Sequence, residues 1–348
     1  MKNIAIHIND SNIIVADNTK IIGNEPGYAL LDHDKVITGL DAYRKKSFSS
    51  HLIFNTYWEN LSLDKDSSLE RLGSVSSFAE IAYMQLNNIC RKYINSGESV
   101  ILIPPTSYDS HKLGLLLGIA NECKINIVGM VNPALMISRE LYKENQLFYL
   151  DIGLNHFSIS SVIDSYLKRD VIESKSIQAL GTDDLEKAWC NRIAEIFILK
   201  TRFDPLHSAN SEFDLQKALP NWLKLLDEDD YLELELPHGG QKLSIEIHRD
   251  QLLNAASNFY SSITDLLNSF FMKSSKKKQI FISSSLSSVP GLYRLLENID
   301  DIFINTGNFG YEALSSLHFF EQGLFDFSDN DVKLLNMIDF NKKIKLKG

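Results

Sequence analysis

Cysteine is scarce in this 348-residue chain, which has three, Cys90, Cys123 and Cys190, far apart and with no CxxC pair. That spacing argues against a zinc ribbon or a disulfide framework. A reducing compartment suits it best, so a cytoplasmic location is expected. No apolar run reaches the ~18 residues that a transmembrane helix needs, and the opening residues alternate as Ile4, Ile6 and Ile8 instead of forming an apolar signal segment. Positive charge is also short. Lys and Arg number 35 against 45 Asp and Glu, a net charge of −10, and a nucleic-acid partner would want a basic face. The basic run 276–278 reads as a solvated loop. No GxxxxGK loop, Ser-His-Asp order or zinc-ligand spacing is present, so neither catalytic residues nor metal ligands are assigned. Gly114 and Gly118 have GxxxG spacing, but the apolar run around them is short, and close helix packing is the expectation.

What is present is a repeated order of elements. Residues 3–9, 12–17 and 20–23 read as short strands, and Phe78, Ile81, Ala82, Leu86, Ile89 and Cys90 then recur at helical spacing. A buried strand "SVILIPP", a helix through Leu113, Leu116 and Ala120, and a strand "INIVGMV" follow, and Pro133 opens a further helix. The opening pattern then returns. "LFYLDIG", "HFSISSVI" and "LKRDVIESKSI" are three strands, and a helix runs from about Asp183 to Phe203, with Asp183 and Glu186 at capping-box spacing. Such a repeat points to two related lobes facing each other. In the second, "YLELELPHGGQKLSIEIH" is a hairpin turning at Gly239-Gly240. A helix is expected over about Arg249 to Phe271, and the chain closes with strand, helix, strand and helix. The predicted units are lobe I over 1–146 with a small insertion at about 26–95, lobe II over 147–325 with an insertion at about 182–254, and a tail over 326–348. In the tail, "DVKLLNMIDF" has the spacing of a short amphipathic helix, and the stretch is expected to be weakly tied to the core.

In this order of elements the chain resembles the actin and heat-shock 70-kDa chaperone superfamily of ATPases, over nearly its whole length. "IAIHINDS" stands where the chaperone branch has its first phosphate segment, I-G-I-D-L-G-T-T, and "DIGLNHFS" where it has D-L-G-G-G-T-F-D. "ILIPPTSYDS", "NIVGMVNPALMI", "ALGTDDLE", "ISSSLSSVPGLYRLL" and "NFGYEALSSL" are similar to further family segments. The implied fold class is α/β: a two-lobed actin-like ATPase fold with duplicated ribonuclease H-like lobes and a central cleft. ATP would lie in that cleft, with backbone N–H groups of two glycine-rich hairpins on its phosphates and aspartates orienting Mg²⁺ through water.

Most of that machinery is replaced. His7 stands at the first catalytic Asp, Asn9 at a hairpin Gly and Asp10 at a phosphate-binding Thr. A carboxylate 4 Å from a phosphate charge is repelled by about 4 kcal/mol at an effective dielectric near 20. Tyr57 stands for a catalytic Lys and Asn132 for a Glu, while Leu154, Asn155, His156 and Ser158 replace two Gly, Thr and Asp. The residues left to line a nucleotide cleft are Asp151, Gly153, Gly181, Thr182, Asp183, Ser283, Ser284 and Ser285. Each has a plainer alternative. Asp151 and Gly153 also suit a strand-capping turn, Gly181 to Asp183 a helix N-cap, and the serines a strand end. His7 reads as a polar residue on the outward side of a strand, with a metal ligand opposite Asp151 as the alternative. Asp10 and Ser11 read as a solvated turn.

The resemblance therefore implies a non-catalytic or barely catalytic scaffold or adaptor, as degenerate actin-like proteins of cell division and pilus assembly are thought to be. Its ligands would be a protein partner or a second copy of the chain, with no cofactor required. The other reading is an ATP-binding ATPase or kinase with unusual phosphate loops, ATP and Mg²⁺ then being the ligands. A filament-forming protein is a third. The stretch after the last ATPase-like helix is short, so a chain lacking the chaperones' peptide-binding domain is expected.

Overall fold

The computed structural model describes residues 2–32, 35–72, 75–271, 277–325, 327 and 332–341. It is a mixed α/β protein. β1 (Asn3–His7), β2 (Ile13–Asp17) and β3 (Ile21–Glu25) form an antiparallel meander. A small sheet follows, built from β4 (Ala29–Asp32), β5 (Lys35–Thr38) and β6 (Ile53–Phe54), with α1 (Leu40–Arg44) between its last two strands. α2 (Phe78–Tyr93) leads to β7 (Ser99–Ile103), and α3 (Ser110–Glu122) to β8 (Asn126–Val131).

The meander returns in β9 (Gln146–Ile152), β10 (His156–Ser165) and β11 (Lys168–Gln178). Next come α4 (Thr182–Thr201), α5 (Ala209–Glu228), the hairpin β12 (Tyr231–His238) and β13 (Gln241–His248), then α6 (Arg249–Ala255) and α7 (Ser257–Phe271). β14 (Lys278–Ile282), α8 (Ser284–Ser287), α9 (Leu292–Glu297), β15 (Ile302–Thr306) and α10 (Tyr311–Glu321) follow, and the short strands β16 (Leu334–Leu335) and β17 (Met337–Asp339) come last.

Two six-stranded sheets result, in the orders β16-β8-β7-β1-β2-β3 and β15-β14-β9-β10-β11-β17. Five strands of each, β8-β7-β1-β2-β3 and β15-β14-β9-β10-β11, repeat the same connectivity, with β1, β7 and β8 parallel in one and β9, β14 and β15 parallel in the other. The registers of the first hairpins match as well. His7 faces Ile14 and Asp151 faces Ser158, the same offset along the chain, so His7 corresponds to Asp151.

Packing explains why these strands read as apolar runs. β1 is buried on both sides: Ile4 and Ile6 pack with α2 and α3, while Ala5 packs with Ala313 and Leu317 of α10. The second sheet carries a core of its own, in which Phe148, Leu150 and Phe157 meet Trp189, Phe197 and Phe270. Its hairpin turns through Gly239 and Gly240, both at positive φ (58° and 78°), where a side chain would be strained.

Several expectations are corrected. Pro133 opens a 3₁₀ turn, Pro133–Ile137, instead of an α-helix. The helix expected over Arg249 to Phe271 breaks at Ala256 into α6 and α7. α4 is capped at Gly181, whose N–H donates to Asp184 Oδ2 at 3.1 Å, so the capping pair lies two residues before the expected Asp183 and Glu186. Of the basic run, Lys278 begins β14 with its ammonium 5.4 Å from the Phe271 ring centroid, and residue 276 lies outside the described residues. Gly114 and Gly118 pack against nothing, since a Cβ at either would have no neighbour within 4 Å.

The expected amphipathic helix near the C-terminus is instead a pair of strands. β16 lies parallel beside β8 and β17 antiparallel beside β11, so consecutive residues join both sheets, and Ile338 is fully buried. Residues 342–348, the basic end of the expected tail, lie outside the described residues. Among the described residues no helix is long and apolar enough to cross a membrane.

Candidate functional site

The two turns that follow β1 and β9 meet each other. From the first, the Asn9 side-chain amide donates to both carboxylate oxygens of Asp151, at 3.0 and 2.9 Å, and to the Ile152 carbonyl at 3.0 Å. The Asn9 amide oxygen accepts from the Ser11 N–H at 3.0 Å and the Ser11 hydroxyl at 2.7 Å, which fixes the turn's own conformation. From the second turn, the Leu154 N–H donates to Asp10 Oδ1 at 2.7 Å. The neighbouring Gly153 N–H donates to the His156 carbonyl at 2.8 Å.

This arrangement corrects the expected exposure of three residues. His7, Asp10 and Ser11 are buried, at 4, 2 and 9% exposure, because each turn is covered by the other. Gly153 is needed where it stands: a Cβ there would overlap the Asp10 carboxylate and the His156 ring. Leu154 does not project into an open cleft but packs with Tyr28, Leu30 and Ala42, and the Asn155 amide donates to the Asn55 carbonyl at 3.0 Å.

The start of α4 closes the joint from the side. Thr182 and Asp183 donate their N–H groups to the carbonyls of Gly153 and Leu154, both at 2.9 Å. Gly181 passes so close that a Cβ would overlap the Leu154 carbonyl. Asp183 itself accepts from the Tyr28 hydroxyl at 3.2 Å and pairs with Lys187 at 2.6 Å. At the end of β14, the Ser283 hydroxyl caps α8 by accepting from the Leu286 N–H at 3.3 Å, and its own N–H donates to the Leu150 carbonyl of β9 at 2.9 Å. Ser285 lies 3.3 Å from the Ser11 hydroxyl. Ser284 is half-buried as the first residue of α8 and contributes its carbonyl to the Ser287 hydroxyl. The eight predicted residues are thus gathered around one joint, and the contacts they make there are with other parts of the chain.

Burial governs the electrostatics. It lowers the pKa of His7, with Asp151 opposing that shift, and raises the pKa of Asp151, with His7 opposing. Asp10 is likewise raised by burial, against His156 and the N–H groups of Leu154 and Ser11. Each turn therefore places one carboxylate near an imidazole of the other. Tyr57 is fully buried, donates to Gln85 Oε1 at 2.6 Å, and has its phenol pushed well up by burial. An ammonium at that position would be equally cut off from water. Glu312, buried and raised for the same reason, accepts from the Tyr149 hydroxyl at 3.0 Å. Among the described residues no group of three or more His, Cys, Asp and Glu side chains is placed to hold a metal ion.

A cavity of about 400 Å³ lies beside the joint, between Tyr28, Lys46 and Asn55 on one side and Asp183, Glu186 and Glu212 on the other. The Lys46 ammonium pairs with Glu186 at 2.6 Å and sits 4.5 Å from the Tyr43 ring centroid. Sequence reasoning misses this cavity, as it misses Asn9 and Asp10 as cross-joint contacts. These residues lie far apart along the chain, and no local spacing signals their meeting. Neither a scan against protein-family models nor a search of curated proteins finds a match for this chain.

Proposed function

We propose that this protein is a non-catalytic or barely catalytic scaffold or adaptor of the cytoplasm, with the two-lobed architecture of the actin and heat-shock 70-kDa ATPases and the ATP function given up. The repeated strand order of the two sheets supports the architecture. The observation that carries the loss of function is the hydrogen bond from the Leu154 N–H to Asp10 Oδ1. In a phosphate loop that N–H would face a phosphate oxygen; here a side chain of the other turn occupies the place. The Asn9 amide does the same to Asp151, using both carboxylate oxygens that would orient a hydrated Mg²⁺. The residues present do not fit ATP with Mg²⁺, because binding would have to break these bonds and part the turns first.

Thermal unfolding with and without Mg-ATP tests this. A site with a dissociation constant near 10 μM, given about 1 mM ligand, would stabilise the fold by roughly 2.7 kcal/mol, a shift of several degrees. The expected shift is below about one degree. Saturable ATP hydrolysis that falls on Asp151→Asn would overturn the scaffold reading.

The cavity beside Asp183 favours a second reading, an ATPase or kinase that holds its nucleotide displaced from the two turns. Under that reading, isothermal titration with Mg-ATP gives measurable heat that Glu186→Gln or Glu212→Gln alters while Asp10→Asn does not.

A further inference from the structure

A row of side chains crosses one face of the second sheet. Tyr149 of β9, Phe281 of β14 and Asn305 of β15 are partners in two parallel registers, so they stand side by side. Beside them is Glu312, in the first turn of α10, which is 3% exposed and accepts from the Tyr149 hydroxyl at 3.0 Å. Tyr142 approaches from the segment that joins the two sheets, its ring edge-on to Phe281 with 5.6 Å between centroids. These residues and Tyr311 line a cavity of about 190 Å³, which shares no residue with the one beside Asp183. Four of its lining residues are aromatic and one is a carboxylic acid, and among the described residues no Lys, Arg or His lines it.

We propose that this cavity binds a small quaternary ammonium ion of about choline's size, with its methyl groups against the aromatic residues and its charge answered by Glu312. Aromatic faces attract a cation through their quadrupole, most strongly where water is excluded. A quaternary ammonium also carries no N–H, so burying it leaves no donor without a partner. An anion finds no cationic side chain on these walls and meets a carboxyl instead. The volume is well above the ~30 Å³ share of a single water and below the ~300 Å³ at which drug-sized sites begin. Burial raises the pKa of Glu312, with its own N–H and the Tyr149 hydroxyl opposing, so the empty site favours the neutral acid. A bound cation favours the carboxylate, and binding therefore releases a proton. Affinity rises with pH through the folded pKa of Glu312. The other titratable groups around it are Tyr149, whose phenol burial pushes well up, Asp151 on the same strand, and Tyr142 and Tyr311. Arg169 of β11 reaches the Ser138 carbonyl nearby, but its charge is matched by Asp164 at 2.8 Å.

Isothermal titration of the full chain with choline tests this, at several pH values and in buffers of different ionisation enthalpy. The expected result is a single saturable site that tightens as pH rises from about 5 to 8, with a buffer-dependent heat that reports proton release. The neutral carbon isostere of choline, with a quaternary carbon in place of the nitrogen, should bind roughly 30-fold more weakly. Glu312→Gln keeps an acceptor for the Tyr149 hydroxyl and should remove the pH dependence. Phe281→Leu keeps apolar bulk without a ring face and should weaken choline more than the isostere. Phosphocholine separates a free cation from a lipid headgroup: its phosphate meets no cationic wall, so it should bind more weakly than choline, and tighter binding overturns the assignment to a free ion. No saturable heat at millimolar choline, equal affinities for choline and its isostere, or binding independent of pH also overturns the proposal. The wild-type titrations decide the matter even if a variant fails to fold.

Discussion

Arg169 of β11 offers a quantitative test of how the two halves are joined. Its side chain is fully buried, as is that of Asp164, and the two are paired through Nε and Nη2, each at 2.8 Å from a carboxylate oxygen. The remaining N–H groups donate to the carbonyls of Leu135, Ser138 and Glu140 at 3.3, 2.5 and 2.6 Å, and these lie on the segment that carries the chain from the first sheet to the second. Arg169→Met keeps most of the volume and removes the cation. Asp164 would then retain the Tyr142 N–H, at 2.8 Å, as a hydrogen-bond donor. Breaking a buried pair from one side costs about 3–5 kcal/mol, and the stranded carbonyls push the value toward the upper end. At roughly 2 °C per kcal/mol for a chain of this size, the melting temperature should fall by about 8–10 °C. Adding Asp164→Leu removes the stranded charge but not the stranded carbonyls, so about half the loss should return. Denaturant titration and calorimetry measure both variants. A loss under about 1 kcal/mol for the single variant, or a double variant less stable than the single, would refute the reasoning.

Three further outcomes follow from named contacts. Gly181→Ala and Gly118→Ala are the same substitution with opposite expected signs. At 181 the new Cβ overlaps backbone of the Leu154 turn and should cost about 3 kcal/mol. At 118 it meets open space on a helix and should stabilise by about 0.5–1 kcal/mol; equal effects in denaturant titration would contradict the packing at the joint. Asp10→Asn should flatten the pH dependence of stability. The folded carboxyl is raised above its ordinary 3.8 by burial, so its contribution is full below that value and is lost as pH rises through the folded pKa. Relative to wild type the Asn variant should therefore gain melting temperature as pH rises above about 4, and a relative loss over that rise would reverse the sign. Ile338→Ala in β17 should cost about 2–5 kcal/mol, because the side chain is fully buried with Ala5, Leu135 and Phe319. A change within error would restore the view that the C-terminal stretch is weakly held.

Period and turn chemistry are local, and the elements that depend on them are legible in the sequence. The alternation of Leu232, Leu234, Leu236 and of Leu243, Ile245, Ile247 about Gly239-Gly240 specifies β12 and β13 without reference to the rest of the chain. The apolar stripe of Phe78 to Cys90 specifies α2, and the two meanders announce a repeat. Where a local signal conflicts, it misleads. The sequence reading assigns no element to α5, whose apolar spacing of Leu215, Leu219, Trp222 and Leu226 is interrupted by Pro220 and is completed by the core that those side chains join. "DVKLLNMIDF" has helical spacing, yet open edges beside β8 and β11 take it as strands, since unpaired edge groups gain partners that an isolated helix cannot supply.

The candidate site divides in the same way. Sequence alone establishes where the two turns differ from a glycine-rich phosphate loop, because each difference is a residue type at one position. What those residues contact is a matter of tertiary structure. Asp10 and Ser11 look like a solvated turn, and Asn9 like a lost glycine, until the second turn is folded against them. Asp10 then meets the Leu154 N–H, and Asn9 meets Asp151. Exposure and pKa belong to this second level, because each depends on the packing of segments far apart in sequence. Residue identity determined which side chains the two turns carry, and the docking of one turn against the other decided what each of them meets.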